Sequence, residues 1–207
     1  MNKNDVRVLL KTRDSILTLK AKFENLIIKE NTEIELTHIY RQGVSDMNRL
    51  ICELDKKCLD WCNTYFVGRW LLQINGMTPY LAAGLLAYFD VSGKECAAQF
   101  IKYSGVSDIC VPHSKNVQEI VFKLKDRFLQ SPDSLYNQLR EKKYNELLKD
   151  FTVDISKIDL RADRYMLKTF LAHLFEEMYR EEHNGMPPER HTYDNLKIIE
   201  PEVPYTR

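Results

Sequence analysis

The sequence predicts an all-α fold, in which a long N-terminal helical arm precedes a compact helical domain with a helix-hairpin-helix motif. Apolar residues recur at spacings of three and four along most of the chain, which is the period of an α-helix. Only seven glycines and seven prolines interrupt the 207 residues, so long helices are compatible with the composition. Hydrophobic residues make up 44% of the chain, enough to bury a sizeable core.

Two long amphipathic helices are predicted to form the arm, residues 1–65. The first covers about 5–29 and the second about 33–63, and Gly43 marks a position where the second can bend. The apolar face of the second helix is predicted to contain Met47, Leu50, Ile51, Leu54, Cys58 and Trp61. The apolar stripes of the two helices are expected to pack on each other, and they also offer a surface for a homodimer.

The segment 70–86, WLLQINGMTPYLAAGLL, has the pattern of two helices joined by a tight hairpin. Gly76 can take the left-handed conformation that such a turn requires, and Pro79 suits the first turn of the next helix. The hairpin directs backbone N–H groups, here those near Gly76 and Thr78, toward a helix N-terminus, where they can hold a phosphate without reading a base. The sequence therefore predicts a nucleic-acid partner, DNA or RNA.

The cations for such binding must come from outside the hairpin, because residues 79–89 contain no Lys or Arg. Candidates near it in sequence are Arg69, Lys94, Lys102 and Lys115. A last helix over about 159–182 places three more, Arg161, Arg164 and Lys168, along one side. The structural alternative is that these three pair with Asp163, Glu176 or acids on another helix.

The remaining helices of the compact domain, residues 66–183, are predicted at about 95–103, 116–129 and 134–148. The last part of the chain, 184–207, contains several prolines and reads as an extended tail.

Several segments resemble the C-terminal domain of the RNA-guided bacterial insertion-sequence transposases, whose catalytic half is RuvC-like. They are VGRWLL at 67–72, the hairpin, LAAGLLA at 81–87 and FIKYSGV at 100–106. The segment LRADRYMLKTFLAH at 160–173 and the Pro187-Pro188 pair are similar to the end of stand-alone relatives of that domain. The resemblance spans about 46–204. It implies a nucleic-acid-binding protein or, as the alternative, a protein-binding regulator such as a phage or mobile-element inhibitor of a CRISPR-type complex.

The resemblance does not extend to the catalytic machinery of the family. The transposases carry an acidic, metal-binding domain before this region, whereas here two Lys- and Glu-rich helical stretches precede it. The nearest counterpart of the family's recombinase serine is Ser114, next to His113, but no glycine accompanies it. Ser114 is also suited to the N-cap of the following helix. We therefore expect no enzyme activity, catalytic residue, metal or cofactor.

Charge and cysteine content limit the classes of protein further. Thirty basic and thirty acidic residues give a net charge of zero, which argues against a protein that coats nucleic acid indiscriminately. A near-neutral surface also suits a protein partner. Five cysteines without secretory context indicate reduced thiols, and Cys58 and Cys62 are expected to face the core rather than bind zinc. No apolar segment is long enough for a membrane span, and the charged start does not resemble a signal peptide, so a cytoplasmic protein is expected.

Overall fold

The computed structural model describes residues 1–28, 34–106, 114–149 and 154–185. Within these ranges the chain forms helices and no strands, which confirms the all-α prediction. The described α-helices are α1 Lys3–Ile28, α2 Ile34–Asn63, α3 Phe66–Gln73, α4 Pro79–Tyr88, α5 Ala97–Ser104, α6 Lys115–Leu129, α7 Leu135–Leu148 and α8 Ile158–His183. None of them is long and apolar enough to cross a membrane. The predicted tail lies outside the described residues from position 186 onward.

The first two helices pack on each other, as the sequence predicts, and they run antiparallel. Near the start of α1 and the end of α2, the Trp61 indole Nε1–H donates to the Met1 carbonyl oxygen at 3.1 Å. Farther along, Arg13 binds the Asp55 carboxylate with two hydrogen bonds of 2.5 and 3.0 Å. A bidentate pair of this kind fixes orientation as well as adding attraction, so it holds the register of the two helices.

The glycine in α2 serves close packing, and the helix continues through it. A Cβ on Gly43 would lie 2.8 Å from the Phe23 Cε1 atom, so glycine makes room for that ring. Phe23 also meets Tyr40 edge to face, with ring centroids 5.3 Å apart. Apart from the buried Met47, apolar side chains of this half of the arm are only partly covered. Leu50, predicted on the apolar face of α2, is 42% exposed, because that face is wider than one partner helix covers.

The base of the arm shares one core with the compact domain. Val6 and Leu10 of α1 are buried beside Cys58 and Cys62 of α2 and the residues of α4. Every residue of α4 from 80 to 87 is buried, so this apolar helix lies at the centre of the molecule.

Two polar contacts join α1 to this central helix. Arg7 donates to the Ala87 carbonyl oxygen through Nε (2.9 Å) and Nη2 (2.6 Å), which satisfies a carbonyl in the last turn of α4. At the other end, the Tyr80 hydroxyl donates to Asp14 Oδ2 at 2.7 Å and accepts from Lys123 Nζ at 2.8 Å. Burial raises the pKa of the Tyr80 hydroxyl, which keeps it protonated as a donor to Asp14.

The long last helix closes the other side of the core. α8 packs against α7, α5 and α3. Arg140 of α7 joins the two helices because its Nε donates to Asp163 Oδ1 at 2.9 Å and its Nη2 to Asp159 Oδ1 at 2.5 Å. Deeper in the same contact, the Tyr136 hydroxyl lies 3.0 Å from His173 Nδ1, so the buried His173 is a packed side chain.

The exposed apolar side chains of the arm lead us to expect self-association. Leu19, one turn before Phe23, is 46% exposed, and Ile39, one turn before Gly43, is 59% exposed. In a two-fold dimer each arm would cover these side chains on the other. Light scattering should therefore give a dimer for the parent protein and a monomer for Leu19→Glu with Ile39→Glu. Ile155→Glu, at an equally apolar position outside the arm, is the control and should remain dimeric. A parent protein that is monomeric at high concentration would exclude the dimer.

Candidate nucleic-acid interface

The turn between α3 and α4 has the form that the sequence predicts. The Ile74 N–H donates to the Leu71 carbonyl oxygen at 3.1 Å, and the Met77 N–H donates to the Ile74 carbonyl oxygen at 3.0 Å. Between them, Gly76 has a φ of +92°, in the left-handed region that favours glycine. Two helices joined by this tight turn form a helix-hairpin-helix.

The start of α4 combines a side-chain cap with free backbone donors. The Thr78 Oγ1 accepts a hydrogen bond from the Leu81 N–H at 3.3 Å. Pro79 is the first helical residue, a position where a backbone N–H would have no acceptor within the helix, so its missing N–H costs nothing. In the part of the chain that the structure describes, the N–H groups of Gly76 and Thr78 donate to no acceptor. Both residues are half-buried, so these amides lie at the surface of the hairpin beside the positive end of α4.

The backbone of helix α6 passes close to the hairpin at Arg127, a basic residue that the sequence did not connect with the turn. α4 and α6 run antiparallel, and a Cβ on Gly76 would lie 3.2 Å from the Arg127 carbonyl oxygen and 2.7 Å from Ser131 Oγ. The Arg127 side chain is exposed, and its Nη1 donates to Gln130 Oε1 at 3.3 Å. Arg127 is fifty-one residues beyond Gly76, so only the packing of the two helices brings it there.

Arg69 and the N-terminus of α3 are engaged in contacts within the chain. Arg69 is exposed, but its Nη1 donates to the Asn63 carbonyl oxygen at 2.9 Å, at the end of α2. The first amides of α3 are capped from α8, because Glu181 accepts from the Phe66 N–H at 2.8 Å and from the Val67 N–H at 2.9 Å. This carboxylate already occupies the position where the start of α3 would hold an anion.

The three cations of α8 differ in their surroundings. Arg161 is exposed, whereas Arg164 and Lys168 are half-buried. Asp163 was one expected ion-pair partner of these cations. Its carboxylate is instead bound by Arg140 and lies 3.9 Å from the Lys125 ammonium. Its charge is therefore compensated from α6 and α7.

A groove of about 260 Å³ lies between the end of α5, the middle of α6 and the first half of α8. Its lining brings Arg164 together with Lys125 and Phe122. Lys102, predicted as a binding residue, is exposed on the last turn of α5 beside the groove residue Ser104. Of the predicted binding residues, the structure therefore places Arg164 in this groove and Gly76 and Thr78 at the hairpin, whereas Lys102 does not line the groove.

The candidate nucleophiles Ser114, Cys58 and Cys62 lie at a helix start or in the core. Ser114 is the N-cap residue of α6, as predicted, and its carbonyl oxygen accepts from the Val117 N–H at 2.9 Å. His113 lies outside the described residues. Burial raises the pKa values of the Cys58 and Cys62 thiols to about 12, and both face the core as predicted. Among the described residues, no three His, Cys, Asp or Glu side chains form a group that could hold a metal.

Comparison with known proteins adds no relative to this picture, since no family model, no curated protein and no solved structure matches the chain.

Because Glu181 caps α3, we expect its removal to destabilise the protein, whereas removal of the neighbouring Glu182 should not. Glu181→Ala removes both acceptors of the α3 amides, and the loss of a helix cap costs about 0.5–2 kcal/mol. For a chain of this size we expect the Tm to fall by about 2–4 °C per kcal/mol. Glu182→Ala is the matched control, because Glu182 is exposed and, among the described residues, accepts a hydrogen bond from the Ser92 hydroxyl at 3.1 Å rather than from a helix amide. Equal Tm values for the two variants would show that the cap does not stabilise the hairpin.

Proposed function

We propose that this chain is a non-catalytic nucleic-acid-binding protein, in which the hairpin between α3 and α4 holds a backbone phosphate. The supporting observation is the pair of unbonded N–H groups at Gly76 and Thr78, beside the start of α4. A helix N-terminus carries a partial positive charge, and free amides there bind phosphate oxygens without any contact to a base. Such contacts position the protein but carry no sequence information.

Side-chain cations supply the salt-dependent part of the binding. Arg127 lies on the turn of α6 that contacts the hairpin, and Arg164 and Lys125 line the groove on another side of α6. Arg161 and Lys168 extend this set along α8. The cations are few and local, which agrees with a net charge of zero and with binding at one place on the surface.

The absence of catalysis in this proposal is supported by the surroundings of the candidate nucleophiles. Ser114 begins a helix at an exposed position, and no partner for its hydroxyl is present among the described residues. The Cys58 and Cys62 thiols are buried, and with pKa values of about 12 they carry almost no thiolate at neutral pH.

The proposal is tested by measuring affinity for duplex DNA, single strands and structured RNA at several salt concentrations. Arg164→Ala with Lys168→Ala should weaken binding to all sequences alike and reduce the salt slope by about 0.9 for each lost phosphate contact. The fold should persist, because neither of these half-buried side chains belongs to the hydrophobic core.

The control for charge is Lys56→Ala with Lys57→Ala, two exposed cations on the arm, which should bind as the parent does. Incubation of the parent with the same nucleic acids and Mg²⁺ should leave them uncut. If the α8 double variant binds as tightly as the parent at every salt concentration, its cations are structural.

A protein-binding regulator is the second candidate. It is favoured by the equal numbers of acidic and basic residues and by the exposed apolar side chains Leu19 and Ile39 of the arm. If the parent binds neither DNA nor RNA even at low salt, this second function replaces the first.

A further inference from the structure

We infer that a cavity between α1 and α6 binds a small zwitterion with an apolar body, the chemical class of the free α-amino acids. The cavity has a volume of about 340 Å³, which lies in the range of small-molecule sites, about 300–1,000 Å³. Among the described residues that line it, none belongs to the hairpin turn or to the groove at α8, so the inference does not depend on nucleic-acid binding.

The floor of the cavity is apolar and belongs to the core. Leu10 of α1 and Ile120 of α6 are 2% and 3% exposed, and Tyr80 and Tyr88 of α4 complete this part of the lining. Because core packing holds these side chains in place, the floor is formed before any ligand arrives. It offers contact to the apolar body of a ligand.

Three polar groups of the lining make no hydrogen bond or ion pair within the part of the chain that the structure describes. They are the Lys11 ammonium, the Asn116 side-chain amide and the Tyr88 hydroxyl. A few polar groups that converge on a largely formed cavity are typical of a ligand site, where they fix the orientation of the bound molecule.

The helices that form the two walls run in the same direction. α1 is antiparallel to α4, because its first turns bind the last turn of α4 and its Asp14 binds Tyr80 at the start. α6 is antiparallel to α4 as well, and its Lys123 binds the same tyrosine. Asp14 and Lys123 therefore meet at Tyr80, and Lys11 and Asn116 lie toward the end of α4.

The two ends of the cavity differ in charge. Lys11 lies at one end, together with Asn116 of the first turn of α6, where the helix carries a partial positive charge. At the other end, among the described residues, Asp14 and Glu119 share one cation, Lys123, at 2.9 and 3.0 Å, which leaves one negative charge in excess. The first end therefore favours a carboxylate and the second an ammonium.

A ligand with one kind of charge fits this cavity less well. Glu119 would repel an anion and Lys11 would repel a cation, since both side chains belong to the same lining. An uncharged apolar molecule would leave the polar groups without partners. A zwitterion supplies a partner for each charge and places its apolar body on the floor.

Isothermal titration calorimetry with L-phenylalanine and two analogues tests the inference. Hydrocinnamate lacks the ammonium and phenethylamine lacks the carboxylate, whereas all three carry the same ring. The protein should bind L-phenylalanine about 10-fold more tightly than either analogue, because a hydrogen bond to a charged group contributes about that factor.

Two variants should separate the two ends of the ligand. Lys11→Ala should weaken the binding of L-phenylalanine and hydrocinnamate by about 10-fold, but not that of phenethylamine. Glu119→Gln should weaken L-phenylalanine and phenethylamine by a similar factor, but not hydrocinnamate. Both side chains are exposed, so the fold should persist. Lys22→Ala, which removes an exposed cation of α1 outside the cavity, is the control and should bind all three ligands as the parent does.

Three results would overturn the inference. They are the absence of saturable binding of L-phenylalanine, equal affinities for L-phenylalanine and either analogue, and variants that weaken all three ligands equally or none of them. Each of these results leaves the hairpin proposal standing, because nucleic-acid affinity is measured separately.

Discussion

The fold depends on the burial of one short helix, α4. Its ten residues from Pro79 to Tyr88 include no charged side chain, and those from 80 to 87 are all buried, so other helices must surround it. α1, α2, α3 and α6 pack around it, and Gly84 allows α6 to approach until a Cβ there would lie 2.6 Å from Ile120 Cδ1. The polar ends of so apolar a helix need partners, and Thr78 and Arg7 supply them.

This constraint also fixes the hairpin that we propose as a phosphate site. With α4 held on every side, the turn at Gly76 cannot move independently of α6, and Arg127 stays beside it. The start of α3 is fixed in turn by Glu181 from α8, so both helices of the motif are anchored by residues far away in sequence. Free amides on a rigid backbone are prepared for an anion without a cost of ordering. The arm contributes to the same rigidity, because Asp14 of α1 binds both Tyr80 and Lys123.

Helix positions and the hairpin could be predicted from the sequence because they depend on local features. Apolar spacing located each described helix to within a few residues, and Gly76, Thr78 and Pro79 indicated the turn and its cap. The Glu181 cap, the placement of Arg127 and the groove around Phe122 could not be predicted. Each arises where segments far apart in the sequence pack together. In the sequence, the exposed Phe122 cannot be told apart from the buried apolar residues of the amphipathic helix α6. The pairing of Asp163 with Arg140 was missed for the same reason.

The central claim is that free backbone amides of the hairpin hold a phosphate, and amide NMR of the ¹⁵N-labelled protein during titration with a short single-stranded oligonucleotide tests it most directly. The Gly76 and Thr78 amide signals should shift together and saturate, because their N–H groups acquire an acceptor. The Phe66 and Val67 amides provide the internal control, since Glu181 already binds them and their signals should stay in place. Gly76 and Thr78 signals that do not move while the oligonucleotide binds elsewhere would contradict the account, and the hairpin would then be purely structural.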